Sequence, residues 1–181
     1  MSRVSLVNTL TAPANSKPLL EQVQMAFGAT PNMFRAVANS SAALQSMWGS
    51  FGALAGGEID AKLGEQIAVA VADRNACEYC LAAHTVLGRK AGATADEMLH
   101  AQAGESADPK TQAALNFALK LVNERGQVSE ADVQTLRGVG FNDGEIVEIL
   151  AHVALNLFTN YVNVAFDVPV DFPRVALRRA A

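Results

Sequence analysis

The stretch EQIAVAVADRNACEYCLAAH, residues 65–84, places a carboxylate, two cysteines and a histidine close together in the chain. We predict two helices here, over residues 61–73 and 76–91. Asn75 followed by Glu78 is a pattern typical of a helix start, and Gly92 is a typical stop after the second segment. Glu65 then lies on the first helix, and both cysteines and His84 lie on the second.

The second of these helices groups its reactive side chains. With Asn75 as the predicted cap, Cys77 falls in the first turn, where unpaired N–H groups and the helix dipole favour negative charge. Cys80 follows three residues later and His84 four residues after that, so all three share one stripe. This spacing allows a disulfide between the cysteines and brings His84 within reach of the Cys80 sulfur, directly or through water.

Cys77 and Cys80 are the only cysteines of the chain. In a cytosolic protein a C-x-x-C pair indicates redox or metal chemistry before it indicates a structural disulfide. A thiolate attacks an electrophile such as a peroxide and becomes a sulfenic acid, which a neighbouring thiol converts to a disulfide. Glu65, on a packed helix face, is a candidate acid–base group or a partner that orients His84.

Outward from this segment, the composition favours helices throughout. Half of the residues are hydrophobic, only 6% are aromatic, and no convincing strand pattern occurs. We predict a single all-α domain over residues 1–181, with its core at about 19–166, an extended N-terminal segment and an irregular tail. The predicted helices cover residues 19–27, 31–38, 41–54, 61–73, 76–91, 95–103, 109–125, 130–137 and 143–166. Their starts carry capping residues at Thr30, Thr94, Asp108, Ser129 and Asn142.

The charge and the hydropathy exclude several kinds of partner. A net charge of -4 and a pI near 5.3 argue against nucleic acid and against an anionic membrane surface. No apolar stretch reaches the length of a membrane span, and the first residues do not look like a secretory signal. We therefore expect a cytoplasmic protein.

The sequence contains a weak internal repeat of residue spacing, which we call the internal echo. The steps that lead from Glu65 to the two cysteines and His84 lead from Glu148 to Asn160, Asn163 and Asp167. In the second segment an N-x-x-N pair therefore occupies the positions that correspond to the C-x-x-C pair of the first. The pattern fits a degenerate helical repeat whose second copy keeps the scaffold without the thiols, and it also arises readily by chance in Ala-rich helices.

The four candidate residues resemble a known signature. Glu65 followed by CEYCLAAH at residues 77–84 is similar to the E-x(11)-C-x-x-C-x-x-x-H signature of the alkyl hydroperoxidase D (AhpD)-like family, in the carboxymuconolactone decarboxylase-like superfamily. The segments TPNMFRA at 30–36 and NDGEIVEILAHVALN at 142–156 resemble its peroxidase-related branch. The resemblance therefore covers most of the chain.

This resemblance implies a helical fold, assembly into trimers or larger rings such as hexamers, and reduction of hydroperoxides by paired thiols. It implies that His84, with Glu65 behind it, activates Cys80, and that Cys77 is the disulfide partner. The reductant is expected to be a thiol or a lipoyl-type donor. One position departs from the family: Tyr79 stands where better-known members carry a histidine, so Tyr79 is only a weak candidate for the substrate pocket.

Physical reasoning from the residues alone assigns the same roles to the two sulfurs. The helix dipole favours Cys77, but it contributes less than about tenfold in rate. A positioned base contributes roughly 10²–10⁴-fold, and His84 lies one turn from Cys80 and two turns from Cys77. We therefore predict that Cys80 attacks the peroxide and that Cys77 resolves the product.

Other interpretations stay open. A proton-transfer enzyme like carboxymuconolactone decarboxylase would use His84 and Glu65 without the thiols, and a redox-sensing or scaffold protein would form the disulfide without turnover. Zinc could bind the thiols, but the set fits a closed zinc site poorly, so we expect no metal and no cofactor. His152, in an apolar helix, is predicted to be a core histidine with its hydrogen bonds satisfied.

Overall fold

The computed structural model describes residues 2–178. Within that range it contains nine α-helices, a short 3-10 turn at Ala14–Ser16 and no strand. The helices are α1 (Lys17–Phe27), α2 (Asn32–Val37), α3 (Ser41–Ala55), α4 (Ala61–Arg74), α5 (Glu78–Lys90), α6 (Ala95–Gln102), α7 (Pro109–Asn123), α8 (Glu130–Gly138) and α9 (Asp143–Ala165). The predicted all-α single domain is confirmed.

Side-chain caps define most of the helix starts. In each case the capping oxygen accepts a hydrogen bond from the backbone N–H three residues later, which satisfies one of the donors that a helix start leaves unpaired. The residues that do this are Ser40, Asp60, Thr94, Asp108, Ser129 and Asn142, at the starts of α3, α4, α6, α7, α8 and α9. These interactions are local, and the last four were predicted from the sequence.

The predicted cap of α2 is wrong. Thr30 Oγ1 donates to Gln24 Oε1, and α2 has no side-chain cap from the residue before it. The carboxylate of Asp171, from the C-terminal tail, accepts a hydrogen bond of 2.8 Å from the N–H of Asn32 instead. Asp171, which is distant in sequence, thus takes the capping role that was predicted for Thr30.

Helix α4 lies at the centre of the domain. It packs against α5, α6, α7 and α9, and nine of its 14 residues are buried. A helix that is apolar on nearly every side is expected in such a position. Its Ile67, Val69 and Val71 are fully buried, so the helix that carries Glu65 is anchored in the core.

The internal echo does not correspond to a repeated structure. Residues 65–84 span most of α4, a tight turn and the first half of α5, whereas residues 148–165 belong to the single 23-residue helix α9. The two segments therefore share a spacing and differ in conformation.

Both ends of the described chain pack against the helices. The Arg3 N–H donates to the carbonyl of Phe166 at 2.7 Å, and in the tail Phe172 packs edge-on against the ring of Tyr79. The first residues and the tail are irregular, as predicted. In residues 2–178 no helix is both long enough and apolar enough to cross a bilayer.

Candidate active site

The turn between α4 and α5 builds the site. Ala76 has a left-handed backbone, with φ of 53°. The N–H groups of Ala76 and Cys77 donate to the carbonyls of Asp73 and Ala72, which is the hydrogen-bond pattern of a Schellman turn. Glycine usually occupies this left-handed position, because a Cβ there costs about 1–2 kcal/mol. The chain consequently reverses within three residues and starts α5 against α4.

Cys77, not Asn75, caps α5. The Cys77 sulfur accepts a hydrogen bond of 3.4 Å from the backbone N–H of Cys80. Asn75 ends α4, and its side chain donates to Asn160 Oδ1 at 2.9 Å. The predicted helix start was two residues too early because the left-handed Ala76 separates the two helices.

The two sulfurs differ in their electrostatic environment. Both are buried and unpaired thiols. The pKa of Cys80 is lowered to about 6, by the hydrogen bond from the Cys77 thiol, by the positive charge that His84 carries when protonated and by the amide of Asn163, all against the cost of burial. The pKa of Cys77 is raised by the same hydrogen bond to Cys80 and by burial. Cys80 is therefore the sulfur that ionises first.

His84 and Glu65 form a direct pair across the two helices. The distance from His84 Nδ1 to Glu65 Oε2 is 2.7 Å. Burial opposes a charged His84 ring, but the charge and the hydrogen bond of Glu65 outweigh it, so the pKa of His84 is raised. With Nδ1 held by the carboxylate, Nε2 is the nitrogen left to exchange protons with a substrate or a thiol.

Comparisons with known proteins identify a matching family and similar folds. The carboxymuconolactone decarboxylase family matches residues 42–124, which include all four site residues. A solved peroxidase-related protein from Silicibacter sp. TM1040 is 26% identical, over 97% of this chain and 92% of that one, with a TM-score of 0.79. A second, from Ralstonia eutropha JMP134 and described as having an alkylhydroperoxidase AhpD core, is also 26% identical, over 94% and 92%, with a TM-score of 0.84.

The family match over residues 42–124 and these two structures support the predicted resemblance to the AhpD-like carboxymuconolactone decarboxylase superfamily. The debrominase Bmp8 is 20% identical over 91% of this chain and 93% of that one, with a TM-score of 0.73, and shares the fold. No protein of curated function matches the sequence.

Tyr79, which departs from the AhpD-like pattern, is buried beside Cys80. Its hydroxyl accepts a hydrogen bond of 3.2 Å from the N–H of Met33, and its ring stands edge-on to Phe172. Burial raises the pKa of Tyr79, so this side chain stays neutral and ties α5 to α2 and to the tail.

A small apolar cavity of about 40 Å³ opens onto Cys80 and His84. Its walls come from α1, α2, α3, α5 and the tail, and most of them are aromatic or aliphatic. The main lining residues are Phe27, Met33, Phe34, Phe51, Tyr79 and Phe172. A separate, larger cavity of about 340 Å³ is bordered by Cys77, Asn163 and Arg174, so the two sulfurs face different spaces.

The sequence did not assign a role to three polar residues of α9. Asn163 Nδ2 donates to the Cys80 sulfur at 3.2 Å, and Asn160 is buried one turn earlier. His152 was predicted to be a satisfied core histidine, but its buried Nε2 has no partner among residues 2–178. It lines a cavity of about 210 Å³ together with Glu65 and His84, and burial lowers its pKa.

No group of three or more His, Cys, Asp or Glu side chains in the described part of the chain is arranged to hold a metal ion. The imidazole and the carboxylate of the candidate set are already bonded to each other.

Proposed function

We propose that this AhpD-like protein is a thiol-dependent peroxidase that reduces hydroperoxides. The observation that carries the proposal is the setting of Cys80: a buried sulfur with its pKa lowered to about 6, next to an imidazole that Glu65 holds. A nucleophile that is ionised near neutral pH and a poised proton donor are what peroxide reduction requires.

In the first step the Cys80 thiolate attacks the terminal oxygen of the hydroperoxide. The O–O bond breaks, Cys80 becomes a sulfenic acid, and the alkoxide leaves. Protonated His84 supplies the proton that converts the alkoxide to an alcohol, and the negative charge of Glu65 favours the protonated ring beforehand. Two electrons pass from the sulfur to the peroxide.

In the second step Cys77 resolves the sulfenic acid. Its sulfur attacks the Cys80 sulfur, the S–O bond breaks, and hydroxide leaves with the Cys77 proton as water. An external dithiol, or two molecules of a thiol, then returns two electrons and two protons and restores both cysteines. Such a cycle fits the cytoplasm, where thiol donors are abundant.

The cavity beside Cys80 favours hydroperoxides with an apolar substituent. Its walls carry Phe34, Tyr79 and Phe172 and no charged side chain other than His84. A small alkyl group gains the free energy of apolar burial there, about 25 cal/mol per Å² of buried surface.

The test is a turnover assay of the reduced protein with tert-butyl hydroperoxide and hydrogen peroxide, using dihydrolipoamide, a thioredoxin system or a small thiol as donor. We expect catalytic consumption of the organic hydroperoxide and loss of turnover in Cys77→Ser. Absence of turnover with every donor, together with no loss of thiols on adding peroxide, would contradict the proposal.

The same assay separates a second kind of reaction. Because the debrominase Bmp8 shares this fold, the fold does not choose between peroxide reduction and removal of a halogen. A brominated pyrrole is therefore included as a substrate. We expect no bromide release from it, since the proposal rests on oxygen transfer to Cys80.

We also propose that the protein assembles with copies of itself, as a trimer or a hexamer. The outward face of α9 supports this, because it exposes large apolar side chains along most of its length. They are Val147, Leu150, Phe158, Tyr161 and Val164. Exposed apolar surfaces of this kind are typical of subunit contacts. Sedimentation of the wild-type protein as a monomer at micromolar concentration would contradict the assembly.

A further inference from the structure

The amide groups of Asn160 and Asn163 converge on the Cys80 sulfur from α9. Asn163 Nδ2 lies 3.2 Å from Cys80 Sγ, and the Asn163 residue is only 4% exposed. An asparagine NH₂ can only donate, so the sulfur at this contact is the acceptor. A thiolate accepts such a bond far better than a neutral thiol does.

The orientation of Asn160 is set by a third asparagine. Asn75 Nδ2 donates to Asn160 Oδ1 at 2.9 Å, which turns the Asn160 NH₂ group away from Asn75. That NH₂ is buried and has no hydrogen-bond partner of its own within residues 2–178. Asn160 nevertheless lies close enough to Cys80 to contribute to lowering its pKa. A buried donor without a partner is costly, and negative charge on the adjacent sulfur relieves that cost.

We propose that Asn163, supported by Asn160, forms a donor pair that stabilises Cys80 as a thiolate, and that Asn163 is a catalytic residue of the site. The inference rests on the proposed peroxidase function for its use, although the contact itself does not depend on the substrate.

The donor pair acts in both halves of the cycle. Before attack it holds the electron pair on Cys80 while the peroxide approaches. During reduction an external thiolate attacks Cys77, the Cys77–Cys80 bond breaks, and Cys80 departs as a thiolate that receives the Asn163 hydrogen bond again. Attack at Cys77 is favoured because the larger cavity borders that sulfur and because the better stabilised thiolate leaves faster.

Other ionisable groups around Cys80 also influence its charge. Cys77, Tyr79 and His84 lie on the same turn or helix, and Glu65 reaches it through His84 from α4. The contribution from α9 must therefore be isolated by substitution on α9 alone.

The experiment is an ultraviolet titration of the Cys80 thiolate in the reduced full-length protein, following absorbance near 240 nm with Cys80→Ser subtracted. Loss of a hydrogen bond to a charged group corresponds to a rise of about one to two pH units in the midpoint. We expect that rise for Asn163→Leu, a larger one for Asn163→Asp, whose carboxylate repels the thiolate, and a smaller one for Asn160→Leu.

Asn156→Leu is the matched control. Asn156 is buried on the same helix, and its side chain donates to the carbonyl of His152 rather than to the sulfur. Its midpoint should stay within about 0.3 pH units of the wild type. If Asn163→Leu does not fold, judged by circular dichroism, the nearly isosteric Asn163→Asp carries the test.

An unchanged midpoint in a folded Asn163 variant, or an equal shift in Asn156→Leu, would overturn the proposal. The titration does not need peroxide. If the midpoints shift as expected while no hydroperoxide is consumed, the amide proposal stands and the peroxidase proposal fails.

Discussion

Residues 65–84 and residues 148–167 have the same spacing of polar residues but different backbone conformations. In the first segment the chain reverses at Ala76 and brings Glu65 to 2.7 Å from His84. In the second the chain continues as one helix to Ala165. Two positions twelve residues apart on a straight helix are separated by about 18 Å, at 1.5 Å per residue. Glu148 and Asn160 therefore lie too far apart to belong to one site.

The two carboxylates consequently have different roles. Glu65 holds the imidazole of the candidate site. Glu148 Oε2 accepts hydrogen bonds from the backbone N–H groups of Glu58 and Ile59, at 2.7 and 3.0 Å, and fixes the loop before α4. The same residue spacing therefore forms a site only where a turn brings the two ends of the segment together.

The largest effect is expected at the thiols, which only the first segment carries. Cys80→Ser should lower the rate of peroxide consumption by about 10³-fold or more, because the nucleophile is lost. Cys77→Ser should consume one equivalent and then stop, with a sulfenic acid on Cys80 that dimedone labelling and mass spectrometry detect. If the label instead forms on Cys77 in Cys80→Ser at the wild-type rate, the two sulfurs have exchanged roles.

A large effect is also expected from the imidazole. His84→Ala should lower kcat/KM by roughly 10²–10⁴-fold, because the alkoxide then leaves without its proton donor. Stopped-flow measurement of the first peroxide equivalent isolates this step. A rate within twofold of the wild type would exclude His84 from it.

The same substitution at both carboxylates compares the segments directly. Glu65→Gln should slow the first step by about tenfold or more, since the pKa of His84 is no longer raised. Glu148→Gln should leave that rate within about twofold and lower only the thermal stability, because it weakens charge-assisted bonds to the loop by roughly 1 kcal/mol. Equal rate losses in the two variants would mean that Glu65 is structural.

The pH dependence follows from the same pair. The thiolate of Cys80 is the reactive form, so kcat/KM should rise about tenfold per pH unit below its pKa of about 6 and then level off. At higher pH the rate should fall as His84, whose pKa lies above the ordinary value of 6.5, loses its proton. A profile that keeps rising to about pH 9 would show that Cys80 has the pKa of an ordinary thiol.

The smallest effect concerns the turn that distinguishes the segments. Ala76→Gly should raise the free energy of unfolding by up to about 1 kcal/mol, because glycine adopts the left-handed conformation without the steric cost of a Cβ. Chemical denaturation measures this change. A lower stability would indicate that the Ala76 methyl group contributes more by packing than its backbone strain costs.

The sequence predicted what depends on neighbours along the chain. The caps at Thr94, Ser129 and Asn142 lie within three residues of their partners, and all were identified correctly. The pairing of Glu65 with His84 also matched the expectation, since the two helices adjoin in sequence.

Contacts between distant segments could not be predicted in this way. The hydrogen bond from Asn163 to Cys80 joins residues 83 positions apart, and nothing in a local pattern distinguishes that asparagine from Asn156. The predicted Asn75 cap was wrong for a different reason. Ala76 adopts a left-handed conformation that is rare for alanine, so the sequence does not indicate the turn.

The tail packed against Tyr79 has a consequence for how such proteins diversify. Glu65, Cys77, Cys80 and His84 all lie within the segment that the family shares, residues 42–124. Part of the wall of the cavity in front of Cys80 lies outside that segment, at Phe27, Met33, Phe34 and Phe172, and the rest, including Phe51 and Tyr79, lies within it. Substitutions in α1, α2 or the tail can therefore reshape one side of the cavity without altering the segment that carries Glu65, Cys77, Cys80 and His84.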